Sequence, residues 1–351
     1  MTESRAFGSI RNGEEARLYT IHGGGLTALF TDLGARAVSL LVPDREGKMV
    51  DVILGLDDAP AYDQDQKSLS ALVGRVCNRT EGAAFRMNGK TYRLAKNDHG
   101  KNNLHSNPGG FHTRMWSLDP DRSDDHQVTF LIYSPDGDEG FPGNLTMTVT
   151  YALEEDASWR IIYRAKCDAD TPLNPTNHTY FNLAGHDSGD VLSHEIRIDA
   201  KFYTPVKDSE SIPTGEILPV EGTPFDFRTP HTVGERIESG HPQLEYTGGY
   251  DHNYVFAKEK TDRPREVAEA YSGETGIRMR VLTDMPGMQF YTGNFLKDLP
   301  GKNGSVYPRR AGFCFETQYF PNSLNEPSFA SPILPAGEEF VSETVYAFSV
   351  K

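Results

Sequence analysis

The sequence predicts an all-β protein, on three observations. Short runs of Val, Ile, Leu, Phe, Tyr and Thr recur from end to end. Gly, Pro, Asn and Asp break them at short intervals. Long stretches with an apolar period of 3.6 do not occur. Residues 26–30 and 37–42 open the series, 43–48 form a turn, and 50–54 make the next strand. Gly23-Gly24-Gly25 reads as a loop, since a phosphate cradle needs a following helix and lysine. Residues 57–65 allow one short helical excursion. Residues 85–94 read as a hairpin closed by Asn88-Gly89, a pair that readily takes the left-handed conformations of a tight hairpin turn. Strands at 128–133 and 145–151 flank the acidic run 136–139, which lacks the ligand spacing of a calcium loop and reads as a solvated turn. Strands at 159–166, 174–185, 249–256, 288–294 and 311–320 complete the pattern.

A chain of 351 residues can form two average domains or one large β-sandwich. With 35 basic against 50 acidic side chains, a net charge of -15, bulk attraction to nucleic acid or an anionic membrane surface is excluded as a mode of binding. A neutral or cationic ligand is favoured. No run approaches the ~20 apolar residues of a membrane-spanning helix, and the first residues lack the basic-then-apolar pattern of a secretory signal. Cys77, Cys167 and Cys314 are odd in number and far apart, so neither a disulfide framework nor a thiolate zinc site is indicated. A reducing cytoplasm is the expected compartment. Cys77 reads as a small core residue without a role.

The candidate functional residues lie on well-separated β segments. In 174–185 alternation puts Thr176, His178, Tyr180 and Asn182 on one side, with Asn177, Thr179, Phe181 and Leu183 on the other. A histidine among hydroxyls and amides suits a polar cleft, and equally a sheet interior where neighbours satisfy it. His105 stands at the mouth of a Gly/Pro/Asn loop, where binding groups are often displayed and surface histidines are ordinary. Asn78 and Arg79 precede the hairpin; a solvated arginine is the plain alternative. Asp251 stands at a strand entrance, sharing a face with Asn253 and Val255, and Gln289 follows the turn at Pro286-Gly287. Phe313, Phe315, Thr317 and Tyr319 face one way, and Cys314, Glu316 and Gln318 the other. Glu316 therefore has an aromatic, buried back and faces either a cleft or solvent. No nucleophile elbow, HExxH or Walker motif is present. His105, His178 and Asp251 have the donors for a metal, but spacing says nothing over such distances. An acid–base pair with polar groups able to grip several hydroxyls suits a sugar.

Several segments then stand together. They are 174–185 (NPTNHTYFNLAG), 249–253 (GYDHN) and 316–322 (ETQYFPN), with 74–79, 104–105, 136–143 and 224–228 in the same order. In these the chain resembles the aldose 1-epimerase (galactose mutarotase) family over nearly its whole length. The resemblance implies a single large domain over 1–351, a twisted β-sandwich of the β-supersandwich type with few short helices. It implies exchange of the α and β anomers of a free aldose such as galactose or glucose, without cofactor or metal. The partner is then a monosaccharide, and the protein a monomer or homodimer. Glu316 falls on the family's base and His178 on its acid, with His105 assisting near the ring oxygen. Asn78, Arg79, Asp251 and Gln289 fall on groups that hold sugar hydroxyls. One departure is visible: relatives commonly follow the Leu-His pair with two glycines, where this chain has Ser106-Asn107, so a different loop shape is expected. Three rival readings share the residues. One is a sugar-binding module without turnover. Another is an epimerase of phosphorylated sugars, with Arg75, Arg79 and Arg114 on the phosphate. The third is a glycosidase using Asp251 and Glu316. His105 and His178 could also exchange duties.

Overall fold

The computed structural model describes residues 2–351, which form three large antiparallel sheets around a shared core, with five two-stranded antiparallel ribbons beside them. A five-stranded meander runs in chain order through Glu3–Ser9, Glu15–Gly23, Leu26–Thr31, Arg36–Pro43 and Met49–Asp51. A nine-stranded sheet has Leu145–Glu154, Ser158–Cys167 and Glu339–Val350 at its centre. The third sheet has five strands, of which Asp251–Val255, Gly287–Tyr291 and Cys314–Gln318 carry functional candidates. The expected all-β class is borne out. Among the described residues the α-helices are Ala59–Tyr62, inside the expected excursion and capped by the Asp58 side chain, and Pro242–Thr247.

Local sequence explains these elements. Ser158–Cys167 buries alternate side chains along much of its length, as a strand with one face on the core must. The hairpin Ala84–Met87 and Lys90–Arg93 turns at Asn88 and Gly89 with φ of 50° and 76°, the two positive values such a turn requires. Trp159, fully buried, packs against Phe30 of the meander, Tyr151 and Tyr346 of the large sheet, and Phe181. The Tyr346 hydroxyl donates to the Phe315 carbonyl, tying the large sheet to the strand that holds Glu316.

Two expectations need correction. Residues 174–185 do not form one long strand. Only Thr176–Asn177 is regular, paired with Leu72–Val73. Beyond it the backbone changes neighbours at nearly every residue: the His178 N–H donates to Ala71, the Tyr180 carbonyl accepts from Leu54, and Phe181 exchanges two bonds with Phe313. The thread is buried at every position but Ala184, yet no single partner runs beside it long enough to build a ladder. The acidic run 136–139 is not simply solvated. Asp138 takes a two-pronged bond from Arg114 at 2.6 and 2.7 Å and a third bond from Ser134. The early strands Glu3–Ser9 and Glu15–Gly23 escaped the apolar-run reading because the first is exposed at every position but Phe7.

Buried cations fix the loops that approach the third sheet. Arg36 donates to Asp65 at 2.7 Å, both side chains 1% exposed, and to the Leu69 and His112 carbonyls. Arg75 donates to Thr171 and to the carbonyls of Ser134, Pro142 and Gly143, and burial lowers its pKa to about 10, so it stays a cation at neutral pH. Replacing Trp159 by Ala should remove the contact that joins the meander, the large sheet and Phe181. A loss of ~3–5 kcal/mol is expected, read as a lower urea midpoint.

Candidate active site

Alternation on the third sheet separates a dry face from a polar one. Tyr254, Phe290 and Phe315 point into the aromatic core, while Asp251, Asn253, Gln289, Glu316 and Gln318 share the opposite face. Register places Gln289 directly between Asn253 and Glu316 on its two neighbours. Asp251 and Glu316 of this face form the floor of a cleft of about 620 Å³, counting its open mouth.

One wall comes from two loops that hold each other. Asn78 and His105 both adopt left-handed backbone, with φ of 57° and 61°. The His105 N–H donates to the Asn78 carbonyl, and the Asn78 N–H donates to His105 Nδ1, both at 3.1 Å. Nδ1 is therefore an acceptor, and the ring proton of neutral His105 is on Nε2. Ser106, at φ 55°, occupies a conformation that glycine adopts freely. Its hydroxyl accepts from the Val76 N–H and donates to the Val76 carbonyl, each at 2.9 Å. The departure from two glycines is thus a hydroxyl staple between the loops.

His178 is held by backbone bonds to Ala71 and Ser70, and its Nε2 lies 3.7 Å from Glu316 Oε1. Its ring meets His105 edge-on at 5.4 Å and packs beside Tyr180 at 5.0 Å. Glu316 is 2% exposed, and its Oε2 has no hydrogen-bond partner. Burial pushes the Glu316 carboxyl well above the usual carboxylate range, reinforced by the Asp251 charge and opposed by Arg79. Burial likewise pulls His178 down to about 4, and pulls His105 well below the ordinary imidazole value with help from its neighbouring imidazoles. Arg79 lies between Asp98, at 3.3 Å, and Asp251, at 3.9 Å. Gln289 Nε2 donates to Asp251 Oδ1 at 2.7 Å.

Asn78, Arg79, His105, His178, Asp251 and Glu316 all line the cleft, and Gln289 supports Asp251. The sequence reading missed Tyr291, Phe295, Lys67 and Asp98. Tyr291 follows Gln289 by two on the same strand face, a signal that could have found it; the other three sit on irregular backbone that carries no pattern. The metal set His105, His178 and Asp251 is not what the fold assembles: His105 Nδ1 is occupied by Asn78. The donors that come within 4.8 Å of one another are those of His178, Cys314 and Glu316, among the described residues. Arg75 and Arg114 are engaged outside the cleft.

Residues 17–347 match the aldose 1-epimerase family. The chain belongs to that family. Galactose mutarotase from Homo sapiens is 42% identical over 320 residues, covering 90% of this chain and 89% of that protein. Aldose 1-epimerase from Escherichia coli is 36% identical, covering 96% of each. Among solved structures, the GalM/aldose epimerase homologue from C. elegans superposes with a TM-score of 0.84 at 30% identity, over 95% of this chain and 98% of that one. The chain therefore shares this fold with a solved relative over nearly its whole length. No helix among the described residues is long and apolar enough to cross a membrane.

The two buried imidazoles should stay neutral well below the ordinary imidazole range in the sugar-free protein. Nitrogen-15 NMR is expected to show His105 protonated at Nε2 alone, and no imidazolium signal from His178 until the pH nears 4.

Proposed function

We propose that this chain interconverts the α and β anomers of a free hexose such as galactose or glucose. The observation that carries the reading is the buried facing pair, Glu316 and His178 at 3.7 Å, beside a polar wall. Opening the hemiacetal requires one group to take the proton from the C1 hydroxyl while another protonates the ring oxygen. Rotation about C1–C2 then presents the other face of the aldehyde, and the reverse transfers close the ring. Glu316 acts as the base and His178 as the acid, and the pair ends each half-cycle with its one proton exchanged. The enzyme draws no proton from outside.

Burial makes the resting state of that pair the neutral one, with the proton on Glu316. The charge-separated form that starts the reaction is its tautomer, favoured when Arg79 and sugar hydroxyls stand against the carboxylate. His105 has its Nδ1 lone pair committed to Asn78, so it donates a hydrogen bond from Nε2 and takes up no proton. This supports the reading in which His178 transfers the proton and His105 orients the sugar. Asp251 and Arg79 grip neighbouring hydroxyls through charge-assisted bonds.

The rival with a phosphorylated sugar lacks its cluster: of the three arginines considered, only Arg79 reaches the cleft, joined there by Lys67 at the rim. We also read the whole chain as one catalytic unit, since the cleft draws on residues from Gln66 to Glu316. Its three cysteines are free and buried, which fits a reducing compartment such as the cytoplasm.

Polarimetry on freshly dissolved α-galactose and α-glucose tests the activity. Glu316→Gln should lower kcat by at least ~10² while sugar binding stays detectable by calorimetry; turnover like that of the wild type would end the mechanism. The pH profile should be bell-shaped. A second proton on the pair, near the His178 value of about 4, removes the base on the acid side. Loss of the single proton, above the ordinary carboxylate range, removes the acid on the alkaline side. A profile of kcat/KM that stays flat down to pH 3 would count against the pairing.

A further inference from the structure

Beneath the cleft floor runs a chain of hydrogen bonds that the proposed proton transfers leave unused. Cys77 Sγ donates to Gln318 Oε1 at 3.3 Å. Gln318 Nε2 donates to Gln289 Oε1 and to Asn253 Oδ1, both at 3.3 Å. Gln289 Nε2 donates in turn to Asp251 Oδ1 at 2.7 Å. All five side chains are buried. Room for the cluster comes from Gly287, the cross-strand partner of Gln318, where a Cβ would stand 2.6 Å from Asn253 Oδ1.

The sense of a carboxamide is not set by its shape, because oxygen and nitrogen ends are nearly the same size. Here both ends of the chain set it. Asp251 offers only acceptors, so Gln289 must present Nε2 to it and Oε1 to Gln318. Gln318 must then present Nε2 to Gln289, leaving Oε1 for a donor, and the buried Cys77 thiol is that donor. Turning either amide over would bring acceptor against acceptor.

We propose that Gln318 is a positioning residue for sugar recognition: it locks Gln289 onto Asp251 Oδ1 and so reserves Oδ2, beside Arg79, for one hydroxyl of the sugar. Cys77 is the donor that closes the chain, not an inert filler of the core. The selected ligand feature is a hydroxyl that donates to Asp251 next to one that accepts from Arg79. This rests on the anomer-exchange reading above and extends it to the choice of substrate.

The test compares wild type, Gln318→Met, Cys77→Ala and Cys77→Ser on hexoses and on their monodeoxy analogues. Gln318→Met keeps the volume and removes the amide; KM should rise ~10-fold with kcat within ~3-fold, as expected when a bound-state hydrogen bond is lost. Cys77→Ala should raise KM by a smaller factor, and Cys77→Ser, which restores a donor, should behave as wild type. The deciding readout is the deoxy series. The penalty of Gln318→Met should vanish for the analogue lacking the hydroxyl that Asp251 binds, and persist for the others. A penalty uniform across the series, or a wild-type KM in Gln318→Met, overturns the proposal. Should Gln318→Met fail to fold, the two Cys77 variants decide it: equal KM values in Ala and Ser overturn it. If the wild type binds a hexose by calorimetry without turning it over, anomer exchange fails, and dissociation constants over the same series still judge the positioning. A wild type that binds no hexose overturns both.

Discussion

Everything in this structure answers to one demand: a carboxyl group and an imidazole must sit 3.7 Å apart with almost no water around them. Dry surroundings make each of them prefer its neutral form, and they also make any hydrogen bond offered by a ligand count for more than it would in solvent. Such an environment is expensive to assemble. It needs a strand whose reverse is sealed, which Phe313 and Phe315 supply by packing on Phe290 and Phe181. It also needs the flanking polar groups to be satisfied, which the amide cluster and the paired loops of the wall largely do. Two atoms there are left without a partner, Asn253 Nδ2 in the amide cluster and Glu316 Oε2 in the cleft.

Charge is managed by the same rule of containment. Arg36 and Arg75 are cations deep in the protein: Arg36 is held by loop carbonyls and the Asp65 carboxylate, and Arg75 by the Ser134 carbonyl at a strand end and by the carbonyls of Pro142 and Gly143 beyond it. They act as tie points for backbone that has no ladder of its own. The segment from Asp65 to Leu69 is an example: Arg36 holds it from beneath while Lys67 and Gln66 face the cleft mouth.

Period-two alternation made the floor legible before any coordinates, because a side chain's face on a regular strand follows from its position alone. Glu316 opposite Phe315, and Asp251 with Asn253, were readable that way. His178 was readable as a candidate but not its setting, since residues 174–185 change partners too often to form the strand that their composition suggests. The walls were harder still. Asp98 and Phe295 lie on irregular backbone, where no alternation assigns a side chain to a face. For Cys77 the burial was foreseeable and is observed, whereas its hydrogen-bond partner, 241 positions away, was not legible.

The reciprocal bonds between Asn78 and His105 have a further meaning for how such a site can vary over time. Each loop supplies the scaffold on which the other is shaped, and Ser106 adds a third tether between the same two loops. Neither loop can drift by itself without distorting its neighbour. Inherited change in this wall is therefore tolerated chiefly in compensating pairs, whereas the exposed positions Arg86, Lys90, Thr91 and Arg93 of the hairpin that follows Asn78 are free to diverge one residue at a time.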